Sequence, residues 1–314
     1  MNYSEIFFTM LPYLLIAGVG GASNRFGLTR GKPEKLLLKL LINLLIPSLI
    51  INFVVGNPAL EDLHNVAVAP LIGFYGIVIG YLTAWFTAKY FGIRERLSVA
   101  SFAFTVGIYN FGFLSIPLTE VLFGKDVVGV LLVHNLGIDS AYWSVGVGLL
   151  TGFSAKNLLN LIKNPPLLAI ITSLIINFMF GREVIPAAVE SVLGGLAFVA
   201  IPVGVFISGA ALAESAGAFK KEGSFAVSAG AVLLRMFVIP LMMVYSVKFM
   251  NVSPELKMVT AVQASMPAGM LSIAIVKYFG GDTEVSVQTI LTTTVVSIFT
   301  IPLWIKVFLY ILGV

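Results

Sequence analysis

The chain is a succession of apolar runs, each near twenty residues and divided by short polar or charged turns. At ~1.5 Å per residue, a run of that length carries a helix across a hydrocarbon core ~30 Å thick. Ten spans result, at about 5–24, 36–55, 66–91, 97–122, 127–152, 165–181, 187–213, 224–250, 256–279 and 284–312. Only 11% of residues are charged, against about a quarter in soluble chains, and 58% are hydrophobic. A water-soluble fold is excluded, and the run length points to helices rather than a barrel. The opening Met1-Asn2-Tyr3-Ser4-Glu5 lacks the basic segment and cleavage site of a secretory signal, so the first run is expected to be a retained span.

The formal net charge of +4 suggests a nucleic-acid binder until its residues are placed in the turns. Thirteen cations fall on one side: Arg25, Arg30, Lys32, Lys35, Lys39, Lys89, Arg94, Arg96, Lys156, Lys163, Lys220, Lys221 and Lys277. Five fall on the other: Lys125, Arg182, Lys248, Lys257 and Lys306. Because short loops rich in Lys and Arg stay in the cytoplasm, the first group is expected inside and both termini outside, in a multi-pass protein of the cell membrane. Arg235 falls mid-span. The turns leave no room for a soluble catalytic or nucleic-acid domain. With no cysteine and two histidines, neither a thiolate cluster nor a His-rich metal site is expected.

The two halves of the chain repeat each other. Gly112-Phe113-Leu114-Ser115-Ile116 returns as Gly269-Met270-Leu271-Ser272-Ile273, 157 residues on in a chain of 314. Phe123-Gly124 and Asp126 return as Phe279-Gly280 and Asp282, Ile46-Pro47 as Ile201-Pro202, and Pro12 as Pro166. Anchors in the same order mark an internal duplication, 1–155 and 156–314. Five spans per half is an odd number, so the halves enter the membrane from opposite sides, a recurring arrangement in secondary transporters.

Within the fourth span, Gly107-Ile108-Tyr109-Asn110-Phe111-Gly112 precedes Pro117. In the ninth, Gln263-Ala264-Ser265-Met266-Pro267-Ala268-Gly269 takes the same place. Such clusters cannot propagate a regular helix, and the freed backbone groups need a cavity, since lipid cannot satisfy them. Half-helix N-termini at the breaks would offer N–H groups and positive dipole ends to an anion. Asn110, Phe111, Gly112, Ser115, Pro117, Gln263, Ser265, Pro267, Ala268 and Gly269, with Asn135 of the fifth span, are the candidate substrate-binding residues. The competing reading is that Gly and Pro are ordinary kinks of membrane helices.

At these residues the sequence resembles the auxin efflux carrier family. Tyr109-Asn110-Phe111-Gly112-Phe113-Leu114-Ser115-Ile116-Pro117-Leu118 is similar to that family's fourth-span signature, with Ser115 where glycine is common. Ser265 to Gly269 and on to Tyr278, then Thr292 to Pro302, resemble its ninth and tenth spans. The resemblance implies a prokaryotic member with the crossover fold of the bile acid and sodium–proton antiporter kind. In that fold the fourth and ninth helices cross at their breaks. Spans one, two, six and seven form a scaffold, which also offers a homodimer interface, and the remaining six form a core that moves like an elevator.

Asp139 lies mid-span in the fifth run, with His134, Asn135 and Ser140 close by; a carboxylate at that depth suggests a coupling ion, H⁺ ahead of Na⁺. A structural role, paired with Arg235 or a freed N–H, stands beside that reading. Arg235 either binds a substrate carboxylate or supports the crossing electrostatically, the latter favoured. Asn43, Pro47, Ser48 and Asn52 are candidates for the scaffold wall of the cavity. Thr289, Thr292, Thr293, Thr294 and Ser297 read as interhelical hydrogen-bonding residues. The expected ligand is a small organic anion, with no organic cofactor, no metal and no nucleic acid. A cation–proton antiporter would want two adjacent core carboxylates, a uniporter would need no ion, and no protease motif or filter repeat occurs.

Overall fold

The computed structural model describes residues 2–152, 164–218 and 224–314. Lys156, Lys163, Lys220 and Lys221, four of the expected inner cations, lie outside the described residues. Among the described residues the regular structure is helical, and the one extended pairing is an isolated antiparallel bridge between Tyr109 and Ala268.

Among the described residues six helices are long and apolar enough to cross a membrane: Tyr3–Arg25, Lys32–Val54, Leu63–Phe91, Ala187–Gly217, Phe225–Lys248 and Thr283–Leu312. A shorter apolar helix, Pro165–Met179, lies between the third and fourth of these. Lys125–Ala141 continues through a wide turn, Tyr142–Gly146, into Val147–Thr151. Two further stretches are interrupted: Arg96–Gly107 resumes as Ser115–Phe123, and Pro254–Ser265 resumes as Leu271–Tyr278. Each apolar run read from the sequence coincides with one of these stretches, whole or broken.

Local chemistry sets the helix ends. Asp62 accepts from the His64 N–H at 2.8 Å, Ser253 Oγ from Leu256 at 3.1 Å, and Asp282 from Glu284 and Val285, each satisfying donors that a first turn leaves free. The helix beginning at Leu63 stops at Gly92, which takes a left-handed φ of 80°. Wide π turns at Leu41–Leu45 and Leu234–Val238 directly precede Ile46-Pro47 and Ile239-Pro240. A proline ring crowds the carbonyl four residues back and offers no N–H, and one extra residue in the turn relieves both. The third wide turn, Tyr142–Gly146, contains no proline.

Packing separates the helices into two groups. Tyr3–Arg25 runs along Ala187–Ala218, and Ile46–Val54 packs on both Pro165–Met179 and Ala187–Ala218. A Cβ at Gly209 would overlap the Ala17 carbonyl, so backbones meet there without an intervening side chain. The second group joins Leu63–Thr87 to Lys125–Ala141 and Arg96–Gly107, and joins Pro254–Ser265 and Phe225–Leu233 to Thr283–Leu312. The broken helices lie wholly in this second group, and a cavity opens where it faces the first.

Candidate functional site

The two breaks cross each other. Asn110 N–H donates to the Pro267 carbonyl at 2.9 Å, and Gly269 N–H donates to the Ile108 carbonyl at 3.0 Å, a reciprocal antiparallel pair. Backbone groups that helix interruption would leave bare are thereby satisfied by the opposite break. Gly269 fits because it lacks a side chain: a Cβ there would come 2.9 Å from the Tyr109 carbonyl oxygen. Two half-helix C-termini, at Gly107 and Ser265, and two N-termini, at Ser115 and Leu271, meet at this point.

Polar side chains hold the crossing from behind. Asn135 donates to the Phe111 carbonyl at 3.1 Å, while the Gln263 amide donates to Asn135 Oδ1 at 3.0 Å and to the same carbonyl at 3.4 Å. Thr293 Oγ1 accepts from the Ala268 N–H at 3.3 Å. Arg235, fully buried, donates through Nη2 to the Ala264 carbonyl at 3.1 Å, and its guanidinium carbon sits 4.9 Å from the centroid of the Tyr109 ring. That carbonyl belongs to the last turn of Pro254–Ser265, the negative end of a half-helix. Arg235 therefore sits where a cation offsets that end.

A cavity of about 660 Å³ lies against the front of the crossing. It is lined by Asn110, Phe111, Gly112, Phe113 and Pro117 from the first break, and by Gly269, Met270 and Leu271 from the second. Helix 125–151 contributes Leu132, Asn135, Asp139, Tyr142 and Trp143. The opposite wall is Leu38, Ile42, Ile46, Leu49 and Ile50, with Ala200 and Ile201. The space reaches Leu38, Asn164 and Tyr278 near helix ends, and Tyr278 is 80% exposed. Among the described residues lining it, Asp139 carries the one formal charge, and its carboxylate has no hydrogen-bond or ion-pair partner among the described residues.

The candidates thus divide. Asn110, Phe111, Gly112, Pro117, Asn135, Asp139 and Gly269 share the cavity. Gln263, Pro267, Ala268 and Arg235 lie in or behind the crossing. Ser115 and His134 are fully buried, with side-chain polar atoms that find no partner among the described residues. Ser140 and Ser265 donate back to the carbonyls of Leu136 and Ala261 in their own helices. Asn43 and Ser48 do the same, to Lys39 and Leu44, and neither they nor Pro47 line the cavity. Asn52 instead accepts from Arg182 and borders a second, smaller cavity of about 330 Å³ with Tyr13, Phe53, Glu120 and Lys125. Arg235 and Asp139 form no ion pair.

Sequence reading passed over Trp143, Phe113 and the aliphatic wall. Trp143 could have been found: it follows Asp139 by four residues, as Asp139 follows Asn135, and that spacing puts all three on one helix face. Arg182 was also missed. It donates to the carbonyls of Asn52 and Val55 at 3.1 and 3.0 Å and pairs with Glu190 at 2.7 Å, capping the end of the Lys32–Val54 helix.

The sequence profile of the family described as "Membrane transport protein" matches residues 5–157 and 152–305. A protein of Methanocaldococcus jannaschii named as an uncharacterized transporter is 24% identical over 300 residues, covering 94% of this chain and 96% of its own. Another of Methanothermobacter thermautotrophicus, also named as an uncharacterized transporter, is 26% identical over 308 residues with the same coverage. These matches point to transport rather than enzymatic chemistry. An all-helical, multi-pass membrane protein with two interrupted helices paired at a cavity, this chain belongs to the membrane transport protein family.

Proposed function

We propose that the chain is an elevator-type secondary transporter of a small organic anion, bound in the cavity beside the crossing. The observation that carries this is the reciprocal pairing of Asn110 with Pro267 and of Gly269 with Ile108, which sets two half-helix N-termini at one cavity. Such ends favour an anion without a cationic side chain. On this reading the ten helical stretches are ten spans in two inverted repeats. The group containing Tyr3–Arg25, Lys32–Val54, Pro165–Met179 and Ala187–Ala218 is the scaffold, where a second copy would dock. The group holding both breaks is the moving core. With the cation-rich turns inside, the cavity opens to the cytoplasm and the smaller one by Lys125 faces outward.

An anion placed beside the Asp139 carboxylate needs a compensating positive charge. A proton on Asp139 supplies it with one group, whereas sodium requires several oxygens; neither Ser140 nor Ser265 is among the residues that line the cavity, which supports H⁺ over Na⁺. Uptake of radiolabelled organic acids by proteoliposomes tests the reading. The expected result is saturable uptake that Asn110→Ala weakens about ten- to a hundredfold in affinity, the value of a hydrogen bond to a charged ligand. Uptake indifferent to every organic acid, with a folded protein, would sink it.

A further inference from the structure

The unpaired carboxylate on the cavity wall calls for a positive charge in whatever binds beside it. Asp139 is the one charged residue among the described lining, and Arg235, the buried cation of the crossing, is engaged behind it by Ala264 and Tyr109. At the crossing, by contrast, Met270, Leu271, Gly112 and Phe113 line the cavity, and their N–H groups make no hydrogen bond to the described residues. The site therefore presents donors at its inner end and a carboxylate beside them. Asn135, whose amide reaches the Phe111 carbonyl at 3.1 Å, ties the two together. Asp139 is one helical turn further along the same face, ~5–6 Å between Cβ atoms.

We infer that the preferred substrate is zwitterionic, an α-amino acid with an apolar side chain, its carboxylate on the free N–H groups at the start of Leu271–Tyr278 and its ammonium on Asp139. The inference rests on the carrier reading and narrows its substrate class. Each charge of such a molecule meets its opposite, so neither the ligand nor Asp139 is left uncompensated in an apolar cavity. Trp143 also lines the cavity, one turn from Asp139, and adds an aromatic ring to the wall that an ammonium would meet. Leu49, Ile50 and Phe113 supply apolar surface for the side chain. A simple carboxylate must bring a proton to Asp139, whereas an amino acid brings its own positive charge.

The test is binding of matched pairs to the purified full-length protein by calorimetry: L-phenylalanine with 3-phenylpropionate, L-leucine with 4-methylpentanoate, L-alanine with propionate, and 2-phenylethylamine alone. The expected result is that at least one amino acid binds about ten- to a hundredfold more tightly than its desamino partner. Asp139→Asn removes that gap and Asp139→Glu keeps it, with size-exclusion profiles like the wild type. Desamino acids that bind as tightly as their partners to the wild type overturn the inference and leave the carrier reading intact. A gap that survives in Asp139→Asn, or an amine that binds as well as the amino acid, overturns it too. If no carboxylate of either kind binds or is taken up, the inference and the organic-anion reading fall together.

Discussion

The guanidinium of Arg235 lies over the Tyr109 ring of one break while its Nη2 holds the Ala264 carbonyl of the other, so a single side chain clamps both halves of the crossing. Its Nε and Nη1 have no partner among the described residues, which makes the Ala264 bond and the ring face the contacts that offset its burial. Arg235→Ala is expected to remove a charged hydrogen bond worth about 1.5–3 kcal/mol and to lower the thermal midpoint in detergent. Arg235→Lys keeps the charge but not the planar fork, and should recover part of the loss. A midpoint unchanged in Arg235→Ala would show that the crossing holds without the clamp.

Gly112 and Gly269 are the same residue of the two repeats, yet the fold uses them differently. A Cβ at Gly269 would meet the Tyr109 carbonyl at 2.9 Å, whereas one at Gly112 meets nothing within 4 Å. Gly269→Ala should therefore strain the antiparallel pair, at about 1–3 kcal/mol, as overpacking typically costs. Gly112→Ala should leave stability unchanged and instead intrude on the cavity, weakening ligand binding. Thermal unfolding and ligand titration of the two variants separate the effects, and equal destabilisation would contradict the geometry.

The helical stretches and their breaks were legible because lipid imposes a simple demand: twenty apolar residues for a helix, and Gly or Pro clusters where the backbone must turn aside. Asn110, Gly112 and Gly269 were legible for that reason. The scaffold wall was not. Asn43 and Ser48 satisfy carbonyls of their own helix, while Leu38, Ile42, Ile46 and Leu49 face the cavity. Facing lipid and facing an apolar cavity make the same demand on a side chain, so hydrophobicity alone cannot tell the two faces apart. Ser140, read as a coupling residue, and Ser265, read as a substrate-binding one, each donate to the preceding turn of their own helix and lie outside the residues that line the cavity.

Orientation is open to direct labelling, since the chain has no cysteine. Glu61 and Phe26 are exposed, whereas Asn65 is buried with its amide on the Ala59 carbonyl. With the cation-rich turns inside, a thiol at Glu61 should react with an impermeant reagent applied to intact cells, and one at Phe26 only after permeabilisation. The opposite pattern would invert the assignment.

If the two helix groups slide against each other, as the proposed function has it, a cross-link between them should stop the movement. Asn57, just beyond the Lys32–Val54 helix, donates to the Asp126 carbonyl at 3.1 Å and packs on Gly129. Cysteines at Asn57 and Asp126, bridged by mercuric ion, should halt transport and leave ligand binding at the cavity unchanged. Transport should return on adding excess thiol. Undiminished transport by the bridged protein would mean that the two groups do not slide past each other there.

The last prediction concerns what travels with the substrate. Asp139 faces the cavity without a partner among the described residues, and the proposed function has its charge met by something that enters with the ligand. Under the proposed function that partner, for a simple carboxylate, is a proton that would be taken up at the carboxyl on one side and released on the other, and differential binding of the two states to proton and anion would couple their gradients. In proteoliposomes, an imposed pH gradient should drive accumulation of 3-phenylpropionate by the wild type. Asp139→Asn cannot exchange a proton, so it should lose accumulation yet keep exchange of labelled for unlabelled acid. For L-phenylalanine the ammonium takes the proton's place at Asp139, and the same gradient should leave its distribution unchanged. Accumulation of 3-phenylpropionate by Asp139→Asn with wild-type dependence on the gradient would remove Asp139 from coupling, whichever ligand the cavity prefers.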